Sequence, residues 1–232
     1  MERACYWICD SAFARDDLVR TCSVPPGRTA VVPLGVDERF RRAGQERDLE
    51  GDRFLFLGSV EPKKNLPVLL EALALAAERG LRTGLDVAGR AGWGSRDVRR
   101  AAERHPVLAE RVRFLGFVPD AALPGLVAGA LALVLPSRYE GFGMPVLEAM
   151  AAGTPVLCSD RGALPEVAGG AARLFDADDA EGLADLLLRI EEDRELRADL
   201  RAAGLARSAA FTWEACARGT LEAYRRALAL PA

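Results

Sequence analysis

Histidine is almost missing from this chain of 232 residues, which contains one, His105. The sequence also has no Gly-x-Ser-x-Gly turn to present a nucleophilic serine. A Ser–His–Asp hydrolase is therefore not expected.

Cysteine is present without regular spacing. The five cysteines are Cys5, Cys9, Cys22, Cys158 and Cys216. An odd, irregular set predicts no disulfide framework and indicates a reducing compartment. Cys5 and Cys9 could form half of a metal site, but no second pair follows and His105 is remote in sequence. We therefore expect these cysteines in the core, and we expect no metal.

Neither sign of charge dominates, since 31 basic and 34 acidic residues are interspersed and the net charge is −3. Such a chain has no broad field to attract nucleic acid, so we expect no nucleic-acid partner and expect any anion site to be local. The apolar run at residues 4–9 is too short for a signal peptide or a membrane span. The sequence thus predicts a cytoplasmic protein.

Short apolar runs rich in Val, Leu and Phe alternate with helical patterns, as they do in βαβ units. We predict strands near residues 54–60, 84–88, 112–116, 131–135, 154–158 and 172–175. These runs are continuous, which is typical of parallel strands covered on both faces. The predicted fold class is therefore α/β, a doubly wound, Rossmann-like parallel sheet.

Helical patterns occupy the segments between the predicted strands and after the last one: 65–80, 96–105, 121–130, 145–153, 163–170, 180–193, 194–209 and 211–229. Segment 39–53 is charged, lacks a periodic apolar face and is the predicted linker. The sequence Asp-Ala-Asp-Asp at 176–179 could imitate a metal-binding acidic triplet. Because it precedes a helical run, we interpret it as an N-cap cluster.

The sequence PSRYEGFGMPVLEAMAAGTPV at 136–156 carries two acids around a loop of small residues. Ligands of parallel sheets bind where strands end and helices begin. Pro145 fits the first helical position, and Gly143 lets the backbone approach a ligand, so the free N–H groups of the first turn would bind an anion. Glu140 and Glu148 could each accept paired hydroxyls of a sugar or a ribose. Alternatively, Glu148 only favours the positive helix end and Glu140 is a solvated loop acid.

A second loop, at residues 58–65, carries Lys63 and Lys64 where the next helix begins. Cations at a helix N-terminus oppose its dipole, at a cost of roughly 0.3–1 kcal/mol each. Their presence favours a bound anion such as a diphosphate over an ordinary basic surface turn.

Four segments in this order carry a family resemblance: GSVEPKKNL, VAGRAGWGS, VRFLGFVPD and PSRYEGFGMPVLEAMAAGTPVLCSD. They resemble the nucleotide-sugar-binding half of the retaining GT-B-fold glycosyltransferases of group 1, which include mannosyltransferases and glycogen-synthase relatives. The resemblance covers essentially the whole chain. It implies transfer of a hexose from an NDP-sugar, without metal or cofactor, to a sugar, glycan or lipid-linked acceptor.

The resemblance also implies residue roles. Glu140 and Glu148 match the family's two glutamates, so Glu140 would contact the donor sugar and Glu148 the ribose. Lys64 matches the basic residue on the diphosphate, where it would stabilise the leaving group. The other donor-binding residues implied are Gly58, Ser59, Lys63, Gly89, Gly116, Phe117, Val118, Phe142, Gly143 and Met144. Many relatives have arginine at the position of Ser59, and Lys63 could replace that contact.

The resemblance divides the chain into four parts. Residues 1–38 correspond to a remnant of an acceptor domain and the crossing from it, 39–53 to the linker, 54–210 to the nucleotide-sugar-binding domain and 211–232 to a C-terminal crossing helix. We expect the chain alone not to transfer sugar, and to need a separate acceptor domain or to self-associate through residues 4–9. A peripheral membrane location would come from the missing domain.

Three alternatives stay open. The chain could be a non-catalytic nucleotide-sugar-binding module, or a fragment of a GT-B-fold sugar-nucleotide epimerase. An NAD-binding domain is weakly indicated, because Gly-Arg-Ala-Gly-Trp-Gly at 89–94 does not have the Gly-x-Gly-x-x-Gly spacing.

Overall fold

A computed structural model describes residues 6–46 and 51–230 of the chain. Cys5 and residues 47–50 of the predicted linker lie outside the described residues. Within the described part, six parallel strands form one sheet in the order β5-β4-β3-β6-β7-β8. A separate two-stranded parallel sheet joins β1 to β2.

The strand bounds are β1 Trp7–Cys9, β2 Thr29–Val31, β3 Arg53–Leu57, β4 Gly84–Ala88, β5 Val112–Gly116, β6 Ala132–Leu135, β7 Val156–Ser159 and β8 Arg173–Phe175. All six predicted strands are present in the large sheet. Their continuous apolar runs fill both faces, since Phe54 and Phe56 pack into one core and Leu55 into the other. The predicted doubly wound α/β fold is confirmed.

The helices are α1 Ala12–Cys22, α2 Glu38–Gln45, α3 Leu66–Glu78, α4 Ser95–Arg104, α5 Leu108–Arg111, α6 Leu123–Ala128, α7 Met144–Ala151, α8 Leu164–Ala168, α9 Ala180–Glu192, α10 Arg194–Ser208 and α11 Trp213–Leu228. Helices α3 and α9 cover one face of the large sheet. Helices α2, α6, α7 and α8 cover the other face. No helix of the described residues is long and apolar enough to cross a membrane.

Three local details differ from the prediction. Strand β3 ends at Leu57, because Gly58 takes a φ of +152° that does not continue a strand. Helix α7 begins at Met144, so Pro145 is its second residue and not its first. The lysines lie in a 3₁₀ turn, Pro62–Lys64, because the left-handed Asn65 delays the start of α3 to Leu66.

The predicted linker contains a helix, which corrects the expectation that this segment has no apolar face. Asp37 caps α2 by accepting a hydrogen bond from the N–H of Arg39 at 2.9 Å. Phe40 and Gly44 are buried one turn apart on the same side of the helix. Two buried positions among charged residues are too few to show as a period in the sequence.

The N-terminal strand, which forms part of the segment 4–9 expected to mediate self-association, is paired along one edge. Strand β1 pairs with β2 from Trp7 to Cys9, which leaves β1 one open edge within the described residues. Ile8 stays 40% exposed and Cys9 is buried, as expected for a core cysteine. Helix α11 does expose large apolar side chains, namely Trp213, Leu221, Tyr224 and Leu228.

Candidate functional site

The two loops predicted to bind a ligand are neighbours because β3 and β6 are adjacent in the sheet. Both loops leave the carboxyl ends of their strands, which in parallel sheets is the ligand-binding edge. The N–H of Arg138 donates to the carbonyl oxygen of Lys63 at 2.8 Å and ties the loops together. Strand order therefore brings together residues that are far apart in the sequence.

Lys64 and Glu140 form an ion pair at this edge. The Lys64 Nζ donates to Glu140 Oε1 at 2.5 Å, and the two side chains are only 12% and 11% exposed. Ser137 Oγ donates to the same oxygen at 2.7 Å. One carboxylate oxygen thus accepts from an ammonium group and a hydroxyl group, and a cation and an acid lie together in a mostly buried position.

The N-terminus of α7 offers unused donors beside this pair. Among the residues that the structure describes, the backbone N–H groups of Phe142, Gly143 and Met144 have no acceptor. Gly143 has a φ of +97°, and a Cβ on it would lie 2.6 Å from Leu164 Cδ2, so the turn requires glycine. Free N–H groups at the positive end of a helix form an anion-binding position.

The side chain of Phe142 points away from this position. It is 5% exposed and packs edge-on against Phe211, with 6.1 Å between ring centroids. Its aromatic ring therefore fixes the loop, and only its backbone can serve a ligand.

Glu148 lies in a different electrostatic environment from Glu140. The pKa of Glu148 is raised to about 7, mainly by burial; the nearby carboxylates of Asp37 and Asp120 contribute to this rise, while Arg39 opposes it. Within the described chain its carboxylate has no hydrogen-bond or ion-pair partner. A partly buried acid without a partner can accept hydrogen bonds from ligand hydroxyl groups.

The predicted glycines beyond these loops line a separate recess. Gly89 and Gly116 border a cavity of about 300 Å³ together with Ser95 and Arg99. Beside it, Phe117 is 56% exposed. The guanidinium of Arg90 stacks over the Phe117 ring, 4.7 Å from its centroid. Val118 is half-buried and packs against the core on the sheet face that α2, α6, α7 and α8 cover.

Gly89 also has a structural reason to be glycine. A Cβ at this position would come 1.9 Å from the carbonyl oxygen of Gly58, and the φ of Gly89 is +148°. The backbone of Gly89 therefore packs closely against the backbone of Gly58, at the start of the loop that follows β3. Gly58 in turn lies beneath the Lys64 side chain, with 3.4 Å between its ideal Cβ position and Lys64 Cε.

Lys63 and Ser59, the other side chains predicted to bind the donor from the loop at residues 58–65, take no part in the ion pair. Lys63 is exposed, and in the described part of the chain its side chain has no ion-pair partner. Ser59 is half-buried. The structure thus brings Lys64 to Glu140 and leaves Lys63 at the rim.

Several residues of the site lie outside the motifs that predicted it. Ser137 lies two residues after the end of β6, and its hydroxyl group donates to Glu140. A small polar residue shortly after a strand is the sequence feature that could have indicated this contact. Gly162, with a φ of +63°, lies against the backbone of Glu140, where a Cβ would come within 2.7 Å of its carbonyl oxygen. The N–H of Ala163 donates to that oxygen at 3.0 Å, so the β7–α8 loop supports Glu140 from below.

Helix α1 also docks on this site. Ser11 Oγ donates to the carbonyl oxygen of Gly141 at 2.5 Å. The N–H groups of Ala12 and Phe13 donate to the carboxylate of Glu166, at 2.8 and 3.0 Å. An acid on α8 thereby caps α1, a long-range contact that local patterns do not reveal.

The residues considered for other chemistry lie elsewhere. His105 lines the groove between α3 and α4, and its Nδ1 accepts from the N–H of Val107 at 3.3 Å. Asp179 caps α9 by accepting from the N–H of Gly182 at 2.9 Å, which confirms the N-cap interpretation. A cluster of three or more metal-ligating side chains does not occur in residues 6–46 and 51–230.

The fold is that of the C-terminal half of a GT-B glycosyltransferase. It superposes on sucrose-phosphate synthase from Thermosynechococcus elongatus with a TM-score of 0.79 and 27% identity, over 96% of this chain and 58% of that one. Anabaena HepE in complex with UDP and glucose has the same fold, with a TM-score of 0.81 and 22% identity, over 96% of this chain and 63% of that chain.

The chain belongs to the family of glycosyl transferases group 1, whose family model matches residues 37–207. Among curated relatives, the O-antigen chain mannosyltransferase B of Escherichia coli is 35% identical over 225 residues, which are 93% of this chain and 59% of the relative. The chain therefore spans less than two thirds of the length of each of these three proteins.

Proposed function

We propose that this chain is the donor-binding half of a retaining glycosyltransferase, which binds an NDP-sugar without a metal ion. The observation that carries this proposal is the Lys64–Glu140 pair beside the free N–H groups of α7. In a group 1 chain, this combination offers a cation and backbone donors to a diphosphate and a carboxylate to a sugar.

Each part of the donor has a candidate partner. The diphosphate would lie between Lys64 and the N–H groups of Gly143 and Met144, whose positive charge would stabilise it as a leaving group. Donor-sugar hydroxyls would bond Glu140, and ribose hydroxyls would bond Glu148. The nucleobase would lie along residues 116–118, with Gly58, Ser59, Lys63 and Gly89 around the loops.

The proposed reaction class is hexosyl transfer, and the relative named a mannosyltransferase supports this class. The acceptor would be a sugar, glycan or lipid-linked acceptor held by an acceptor domain. Exposed Leu221, Tyr224 and Leu228 on α11 are apolar surface that such a domain, or a second copy of the chain, would cover. Light scattering and a donor-turnover assay test this part: a monomer that transfers sugar without a partner would contradict it.

The central test is a thermal-shift panel of UDP, GDP and ADP in the presence of EDTA, repeated with manganese. A ligand at a hundred times its Kd is expected to stabilise the fold by about 2.7 kcal/mol. Stabilisation by at least one diphosphate in EDTA would support the proposal. No stabilisation, or stabilisation only with manganese, would overturn it.

A further inference from the structure

Ser137 contributes a hydroxyl group to the candidate site, and no motif predicted this contact. Its side chain is fully buried after β6. Its Oγ donates to Glu140 Oε1 at 2.7 Å, and its carbonyl oxygen accepts from Ser159 Oγ at 2.5 Å. Ser137 is thus held by the neighbouring strand and in turn holds the carboxylate.

The two oxygens of the Glu140 carboxylate differ in their hydrogen-bond partners. Its Oε1 accepts from both Lys64 and Ser137. Its Oε2 has no partner within residues 6–46 and 51–230. In this described part, every fully buried side-chain oxygen has a hydrogen-bond partner, so Oε2 must reach solvent. One oxygen is anchored and the other is open.

The two anchors of Oε1 differ in how they would respond to a bound diphosphate. The Lys64 ammonium carries a charge on a flexible stem, so an anion competes with Glu140 for its N–H groups. The Ser137 hydroxyl is neutral, buried and attached to a short side chain, so an anion does not draw it away.

We propose that Ser137 is a positioning residue: it holds Glu140 Oε1 so that Oε2 faces the donor sugar while Lys64 binds the diphosphate. This inference rests on the proposed function. Ser137 would act through Glu140 and would not touch the substrate. Its contribution would therefore concern the sugar and not the nucleotide.

The experiment measures, on the full chain, calorimetric affinities for UDP with UDP-glucose, GDP with GDP-mannose and ADP with ADP-glucose. Ser137→Ala is expected to weaken the sugar-bearing donor about tenfold relative to its own free diphosphate, because a hydrogen bond to a charged group is lost. Affinity for the free diphosphate is expected to stay unchanged. In a Glu140→Ala background, Ser137→Ala should cause no further loss, since the carboxylate it holds is gone.

Thr154→Val provides the control for losing a buried hydroxyl. Thr154 is 2% exposed, and its Oγ1 donates to the carbonyl oxygen of Val127 at 2.8 Å, away from Glu140. This variant should leave the ratio of the two affinities unchanged even where it lowers the melting temperature.

The outcomes separate the two proposals. A wild-type chain that binds none of the diphosphates would overturn the proposed function and this inference with it. Normal diphosphate binding with an unchanged ratio in Ser137→Ala, or an equal loss in the Glu140→Ala background, would overturn this inference alone.

Discussion

Glu148→Gln should stabilise the protein above pH 7, although it removes an acid from the candidate site. In the folded chain, burial raises the pKa of Glu148 from its ordinary value of 4.5 to about 7. The folded protein therefore holds this proton more tightly than the unfolded chain does. Ionised Glu148 destabilises the fold, and glutamine keeps its shape without the charge.

The size and pH window follow from the two pKa values. One pH unit corresponds to about 1.4 kcal/mol, so a rise from 4.5 to about 7 corresponds to about 3 kcal/mol. The destabilisation is absent below pH 4.5, grows between pH 4.5 and 7, and is complete above pH 7. At pH 8 the variant should melt roughly 6–12 °C higher than the wild type, and at pH 4.5 the two should melt together.

Urea unfolding followed by circular dichroism at several pH values measures this difference. Glu71→Gln is the control for removing one negative charge, because Glu71 is exposed on α3. That variant should show no comparable gain at pH 8. Equal stability of Glu148→Gln and the wild type at pH 8 would refute the reasoning, because it would mean that the carboxylate is well solvated.

The same variant should bind nucleotide more weakly, which is the proposed reason for keeping an unfavourable acid. If ribose hydroxyls bond the ionised carboxylate, wild-type affinity for a nucleoside diphosphate should fall below pH 7, by up to about tenfold per pH unit. Glu148→Gln should retain only the pH dependence of the phosphate group, whose pKa lies near 6. Identical pH profiles would remove Glu148 from the ribose site.

Three further substitutions test the loops. Lys64→Ala is expected to weaken the binding of every diphosphate by about 1.5–3 kcal/mol, because a charge-assisted contact is lost. Glu140→Ala should weaken the binding of sugar-bearing donors only. Matching calorimetric losses for the two variants would contradict these roles. Gly143→Ala should destabilise the fold by about 1–3 kcal/mol in urea unfolding, because Gly143 has a φ of +97° and an added Cβ would lie 2.6 Å from Leu164. Gly27→Ala is the control, because Gly27 has open space around it. Equal stabilities of the two variants would contradict the steric explanation.

The sequence alone was enough to predict the strands of the large sheet and one helix cap. Continuous apolar runs predicted the six strands of the large sheet, because a parallel strand is buried on both faces whatever its neighbours are. The cap at Asp179 was predictable because it involves residues three apart. Fold class and helix capping are thus carried by local patterns.

The tertiary structure decided how these parts meet. Lys64 and Glu140 are 76 residues apart, and they form a pair because β3 lies beside β6. Glu148 has a raised pKa because folding places it in a partly buried position near Asp37 and Asp120. Ser137 lies only three residues before Glu140, but it is held in place by Ser159 of the neighbouring strand β7, a long-range contact that a local pattern does not specify. Electrostatic environment depends on distance and burial, and both are properties of the folded chain.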